Sequence, residues 1–316
     1  MTGLAQGSRQ LLPFSVSGLY IRSSKDSGSI FCISCSDILN AGSSGKGSSI
    51  LSPVLCETVP ADRLLQQGDR MIRFIFIALF LVLYLILSCP IMLVLLLVRK
   101  INAKKADIIM QRIVQCALSI VWHMAGVKLT TVGLENIPDD QAVLFVGNHQ
   151  SFFDVIISYS QMKRQTAYIA KKSFQKWPIL SWNMMFLHCL FLDRENMRQG
   201  VKTIMTAAEM ARENGISIFI FPEGTRNKGE ESELAPFHDG SFKVAQRGKV
   251  PIIPVSFNNT AAVFEQHLPK IKSQHVVIEY GKPIFWDDLT KEEKKHVGEY
   301  FRGILTEMVV KNKELV

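Results

Sequence analysis

Residues Ala142-Val-Leu-Phe-Val-Gly-Asn-His-Gln-Ser-Phe-Phe-Asp154 join a wholly apolar run to a polar turn, and their reading decides the fold. The apolar run Ala142 to Val146 suits a strand buried on both faces of a sheet. A strand ending in Gly147-Asn148-His149 delivers an imidazole to the carboxyl edge of that sheet, where α/β proteins place their chemistry. Asp154 follows His149 by five residues, about 140° around a regular helix. The two side chains therefore meet only if His149 lies in the loop and Asp154 in the first turn of the helix beyond. That arrangement is a histidine base with a carboxylate that orients it and stabilises its charged form. Ser151-x-x-Asp154 ahead of an apolar run is also a capping box. Both readings hold at once, because a capped turn fixes the carboxylate.

Working outward, the spacing predicts further strands at 127–132, 167–170, 189–192, 216–221, 251–256 and 276–280. Helices fall between them. Met197 to Arg212 carries the stripe Val201, Ile204, Met205, Ala208, with Asn196 as N-cap and Gly215 just past the end. A last helix is expected to begin at the capping box Thr290-Lys-Glu-Glu293 and to bury Val297, Tyr300, Phe301, Ile304, Leu305, Met308 and Val309. The fold class is α/β, and the 316 residues are enough for one sizeable domain plus appendages.

Towards the amino terminus the composition changes twice. Residues 1 to 70 are rich in Ser and Gly and read as a disordered leader. Translation beginning at Met71 fits the same pattern, and an N-terminal peptide from residues 2 to 60 in the native protein would exclude it. Cys32-x-x-Cys35 stands without a second pair or a histidine partner, so no metal is expected there or elsewhere. Phe74 to Val98 holds no charged residue and exceeds the roughly 20 residues that cross a bilayer as a helix. Pro90 inside it removes one backbone donor, so the run is expected to kink or turn back, leaving one crossing or a re-entrant hairpin. Ala106 to Ala125 has helical spacing with a basic flank and lies either in the membrane interface or against the domain. Residues 71–126 are thus a membrane-anchoring region, and 127–316 the catalytic domain.

The net charge of +8 and pI near 9.2 call for an acidic partner surface. The chain shows no RNA-binding signature, zinc-finger spacing or basic helix with heptads, which excludes nucleic acid and leaves the phospholipid bilayer. Arg99, Lys100, Lys104, Lys105 and Arg112 after the apolar run outnumber Arg63, Arg70 and Arg73 before it. That bias puts the downstream domain on the cytoplasmic side of a cell membrane, as an integral or monotopic protein.

A second informative stretch is Phe221-Pro-Glu-Gly-Thr-Arg226, again at a strand end. Pro222 cannot donate a ladder bond and Gly224 allows a tight turn. Arg226 presents a planar fork suited to a pair of phosphate oxygens. Glu223 either holds that arginine or bonds a substrate hydroxyl.

Asn-His-x-x-x-x-Asp followed about seventy residues later by Phe-Pro-Glu-Gly-Thr-Arg resembles the glycerolipid acyltransferases, specifically the 1-acyl-sn-glycerol-3-phosphate acyltransferases. The blocks Ala170-Lys-Lys-Ser to Phe191-Leu-Asp-Arg194 and Val250-Pro-Ile-Ile-Pro-Val255 extend the resemblance, which covers about Ile72 to Pro283. It implies a mixed sheet flanked by helices, behind an N-terminal membrane-embedded helix or helical hairpin. It also implies acyl transfer from acyl-CoA or acyl carrier protein, as co-substrate and without a bound cofactor, to the sn-2 hydroxyl of lysophosphatidic acid in phospholipid biosynthesis. His149 and Asp154 are then catalytic, and Arg194, Glu223, Gly224, Thr225, Arg226 and Lys172 bind substrate. Glycerol 3-phosphate or another lysolipid as acceptor is the alternative, followed by an inactive lipid-binding module. The sequence departs from the family at Ser181, His188 and Phe237-His-Asp-Gly240. His188 and Cys189 are read as structural rather than reactive.

Overall fold

A computed structural model of the chain describes Leu19–Ser23, Ile30–Ser34 and residues 61–316, with side chains from Arg70 onward. It divides into Met1–Asp69 and Arg70–Val316. In the first unit β1 (Leu19–Ser23) and β2 (Ile30–Ser34) pair antiparallel, with Leu19 opposite Ser34. The sequence reading expected no structure there. Each strand pairs on one side only, so the outer backbone groups of both are left to solvent. Ala61 to Arg70, read as the end of the leader, are helical, and the rest of residues 1–60, with Cys35 of the Cys-x-x-Cys pair, lies outside the described residues, as does any bearing on a start at Met71.

In the second unit the strands are β3 (Lys128–Val132), β4 (Leu144–Gly147), β5 (Thr166–Lys171), β6 (Leu190–Leu192), β7 (Ser217–Ile220), β8 (Ile252–Asn258) and β9 (His275–Tyr280). The helices are α1 (Ala61–Ile101, belonging to this unit from Arg70), α2 (Ala103–Met124), α3 (Phe152–Gln161), α4 (Pro178–Phe186), α5 (Met197–Asn214), α6 (Lys243–Gly248), α7 (Lys291–Lys295) and α8 (Val297–Asn312). All seven apolar runs read as strands therefore form strands. They make one sheet of order β3-β9-β8-β4-β7-β5-β6, parallel except between β8 and β9.

β4 lies in the middle, with Leu144 opposite both Ile218 and Ile252. Its side chains alternate between two cores. Leu144 and Val146 join Ile218, Phe242, Phe301 and Leu305 on one face. Val143 and Phe145 join Phe219, Ile253 and Tyr280 on the other, with Met110 of α2 and Met92 of α1. Burial on both faces explains the unbroken apolar runs. Because β4, β5, β6, β7 and β8 run parallel, their carboxyl ends share one edge.

α5 has its N-cap at Asn196, whose side chain accepts the Gln199 N–H, and ends at Gly215 with φ 65°. The carboxyl-terminal helix differs from its reading. The capping box at Thr290 is present, but His296, at φ −120°, breaks the rod into α7 and α8. Its stripe faces the core as expected, with Val297, Phe301, Leu305 and Val309 buried.

α1 is long and apolar enough to cross a membrane over Arg70–Ile101. Pro90 does not turn it; the helix continues through the proline and ends at Ile101. The reversal comes at Asn102, which caps α2 by accepting the Lys105 N–H at 2.9 Å. α2 packs on the domain, with Gln111 and Gln115 donating to the carbonyls of Tyr159, Met162 and Arg164. Ser88 of α1 accepts from the Asn183 amide at 2.9 Å, and Tyr84 donates to Asn183 at 3.1 Å, which seats α1 on α4. The far side of α1 exposes Ile75, Phe76, Leu79, Leu83, Ile86 and Leu93.

Candidate active site

At Gly147 the chain leaves the sheet, while the sheet continues by one further rung. The Asn148 side chain donates to Phe257 O at 3.0 Å and accepts from Phe257 N at 2.8 Å, imitating a strand residue. A Cβ on Gly147 would lie 2.9 Å from the Phe257 ring, so any larger residue there must displace the ring. His149 follows, with its backbone clamped on both sides. Its N–H donates to Glu223 Oε1 at 2.7 Å, and its carbonyl accepts the Asn227 N–H at 2.7 Å. The imidazole stacks on Phe221 at 4.1 Å between ring centroids. Its Nδ1 lies 2.8 Å from Asp154 Oδ2, leaving Nε2 as the outward nitrogen.

Asp154 sits in the first turn of α3 and His149 in the loop, the placement that lets them meet. Asp154 Oδ2 also accepts the N–H groups of Gln150 and Ser151, each at 2.8 Å, and closes the capping box with Ser151. The carboxylate is wholly buried, and the imidazole side chain is 18% exposed. An imidazole held this way can take a proton at Nε2 while the charge that forms on the ring faces a fixed carboxylate.

Among the described residues Glu223 does not bond Arg226. Its second oxygen accepts the Ala235 N–H at 3.0 Å, so it ties the turn after β7 to the end of β4. Burial raises its pKa above the ordinary carboxylate value. Gly224 makes the turn at φ 72°, and an added Cβ there would approach His238 at 3.4 Å and the Arg194 guanidinium at 3.7 Å. Thr225 is exposed.

The residue that holds Arg226 is Glu265, which no motif marks. Its Oε1 accepts from Arg226 Nη1 at 3.0 Å and from the Phe152 N–H at 2.8 Å; its Oε2 accepts from Ser151 Oγ at 2.6 Å. The Arg226 guanidinium lies over the Phe152 ring at 4.0 Å. Arg194 has no hydrogen bond or ion pair among the described residues, and burial of part of its guanidinium lowers its pKa. It lines a cavity of about 400 Å³ with Lys171, Lys172 and Lys176, at the carboxyl ends of β5 and β6. Lys172 is paired with Asp193 at 2.9 Å. The site thus brings together His149, Asp154, Glu223 and Gly224. It leaves Arg194 open, and holds Arg226 and Lys172 against acidic partners.

His188 and Cys189 play structural parts. His188 adopts φ 62° and bonds Asp107 of α2 at 2.9 Å. Cys189 is buried, and its thiol is pushed up to about 11, leaving it protonated at neutral pH.

Residues 128–258 match the family model described as Acyltransferase. A 1-acyl-sn-glycerol-3-phosphate acyltransferase of Saccharomyces cerevisiae is 30% identical over 201 residues, 64% of this chain and 65% of that one. One of Borreliella burgdorferi is 29% identical over 201 residues, covering 77% of its length. The match thus spans just under two thirds of the yeast relative. The crystal structure of the 1-acyl-sn-glycerophosphate (LPA) acyltransferase PlsC from Thermotoga maritima superposes with a TM-score of 0.66. It covers 78% of this chain and 98% of that one at 20% identity, so the likeness is one of fold. Residues 128–258 are thus similar to the Acyltransferase family, and the chain shares the mixed α/β fold of the Thermotoga protein.

Proposed function

We propose that this domain moves a fatty acyl group from a thioester, carried on coenzyme A or acyl carrier protein, to the sn-2 hydroxyl of 1-acyl-sn-glycerol 3-phosphate, forming phosphatidic acid. The observation that carries the reading is the 2.8 Å contact between His149 and a wholly buried Asp154, next to the turn that bears Gly224 and Arg226. With its Nδ1 proton donated to Asp154, neutral His149 offers Nε2 as base. It takes the hydroxyl proton while the hydroxyl oxygen forms a bond to the thioester carbonyl carbon. When the tetrahedral species collapses, the carbon–sulfur bond breaks and the thiolate recovers the proton from His149. The substrate's own hydroxyl is the nucleophile, so no acyl-enzyme forms.

Arg194 and Arg226 serve the acceptor's phosphate, and fixing it converts binding energy into orientation of the hydroxyl. α1 anchors the domain at the bilayer in which the acceptor resides, and the basic residues after it favour the cytoplasmic face.

The test is acyl transfer by the purified full chain in mixed micelles, offering lysophosphatidic acid or glycerol 3-phosphate with each donor. Phosphatidic acid from lysophosphatidic acid is the expected product. Transfer to glycerol 3-phosphate alone, or to neither acceptor, would overturn the reading.

A further inference from the structure

α4 is inside out for a helix in water. Its nine residues, Pro178–Phe186, include no charged side chain. The polar side chains Ser181 and Asn183 are buried, and their hydrogen bonds are made within the protein. Ser181 Oγ donates to Pro178 O at 3.0 Å, and the Asn183 side chain bonds Ile179 O, Ser88 and Tyr84. The outward positions are apolar. Pro178, Trp182 and Met185 follow one another at helical spacing on an exposed face. Trp182 is 54% exposed, Met185 57%, and Trp177 just ahead of them 69%. A water-facing helix carries the opposite arrangement, so this face is one that something apolar covers.

We infer that α4 inserts into the bilayer leaflet that covers the outer side of α1, as a second membrane element with Trp177 and Trp182 at the headgroup boundary. This rests on the reading of α1 as the membrane anchor above. Continuity identifies the occupant. Asn183 ties α4 to Tyr84 and Ser88, midway along α1, and every exposed residue of α1 from Ile75 to Leu97 is apolar. α1 lies along the domain over that length, with Arg73 donating to Ala125 O at 3.3 Å near one end and Leu95 in one core with Met110 near the other. Lipid therefore reaches only the outer side of α1, and on that side it borders α4. The charges agree. Lys176 directly precedes Trp177, and the cavity beside it sets Lys171, Lys172, Lys176 and Arg194 against only Asp193 and Glu195. Cations flanking an apolar face that carries tryptophan are what the interface of an anionic bilayer attracts. At about 1.5 Å per residue α4 is about 14 Å long, less than half of the roughly 30 Å hydrocarbon core. It lies in the interface and spans nothing.

The experiment reconstitutes the full chain in vesicles of phosphatidylcholine and phosphatidylglycerol whose acyl chains carry bromine close to the glycerol, a short-range quencher of indole emission. The chain has four tryptophans, and the double variant Trp177→Phe/Trp182→Phe leaves Trp122 and Trp286 as background. Phenylalanine keeps the face apolar, and flotation with the vesicles reports on the α1 anchor separately. Wild type is expected to lose most of the emission of Trp177 and Trp182 to the bromolipid and less of it to aqueous iodide. The double variant floats equally and loses little. Quenching by iodide without quenching by bromine leaves α4 in water and overturns the proposal. Protection from both quenchers also overturns it and puts protein on the face, a second copy if Trp182→Glu turns a dimer into a monomer in detergent. Failure to float removes the anchor and the proposal together. If the protein floats and bromine quenches but no acyl group reaches lysophosphatidic acid, the proposed reaction fails and α4 remains a membrane element.

Discussion

The oxygen of Asp154 that lies 2.8 Å from the His149 ring is the same oxygen that accepts the N–H groups of Gln150 and Ser151. Helix cap and base orientation are therefore one object. Asp154→Asn keeps an acceptor for the cap but removes the charge facing the imidazolium. It should lower kcat by about a hundred- to ten-thousandfold with little change in acceptor KM. Asp154→Ala should also lose about 1 kcal/mol of stability with the cap. Steady-state kinetics beside thermal melts separate the two effects, and wild-type kcat in Asp154→Asn would remove the carboxylate from the mechanism. His149→Ala should lose transfer to the same degree and melt normally.

Asn148 makes both of its hydrogen bonds to the backbone of Phe257 and is completely buried. Asn148→Ala leaves a buried N–H and a buried carbonyl without partners, at about 1–3 kcal/mol each. A fall in melting temperature together with reduced kcat is expected, because the rung that fixes the start of the histidine loop is lost. An unaltered melt would show that water replaces the side chain without cost.

Gly147→Ala forces a methyl to within 2.9 Å of the Phe257 ring and 3.2 Å of Phe219. Overpacking of this kind costs about 1–3 kcal/mol. Phe257→Leu in the same chain should recover part of the loss. Failure to recover any would locate the strain in the backbone instead of the ring.

Arg194 lacks any partner among the described residues, so its removal breaks no bond in the free protein. Arg194→Ala should melt like wild type and raise the acceptor KM about tenfold or more, the worth of one hydrogen bond to a charged group. An unchanged KM would take the residue out of the phosphate site.

Burial holds the Cys189 thiol at about 11. Alkylation by iodoacetamide at pH 8 should therefore spare Cys189 in the folded protein and reach it only in denaturant, as followed by peptide mass spectrometry. Its charged form is absent well below that value, so Cys189→Ala should leave transfer rates near wild type. Rapid labelling in the native state would contradict the burial.

The strands were legible because their residues are apolar in succession, and His149 with Asp154 because a cap signal and a strand end adjoin. What could not be read depends on distant contacts. Asn148 bonds a residue 109 positions away, and Glu265 bonds Ser151 from 114 positions away. Glu265 opens a single 3-10 turn, Glu265–His267, with no motif around it. Of the two readings of Glu223, the bond to Arg226 is replaced by one to the His149 backbone, which lies 74 positions away and so leaves no local signal. The break at His296 carries no glycine or proline to announce it. Pro90 gave a turn signal that the apolar residues around it outweighed.

The rung that Asn148 adds beyond Gly147 fixes how the chain can change length. With Asn148 locked to Phe257 and His149 clamped to Glu223 and Asn227, the reactive nitrogen is counted off from the sheet edge by a fixed number of residues. A single residue inserted between Gly147 and His149 would either pull the asparagine out of its slot or carry the imidazole past its carboxylate. Loops elsewhere in the domain can lengthen and drift, but this one has its arithmetic set by the sheet.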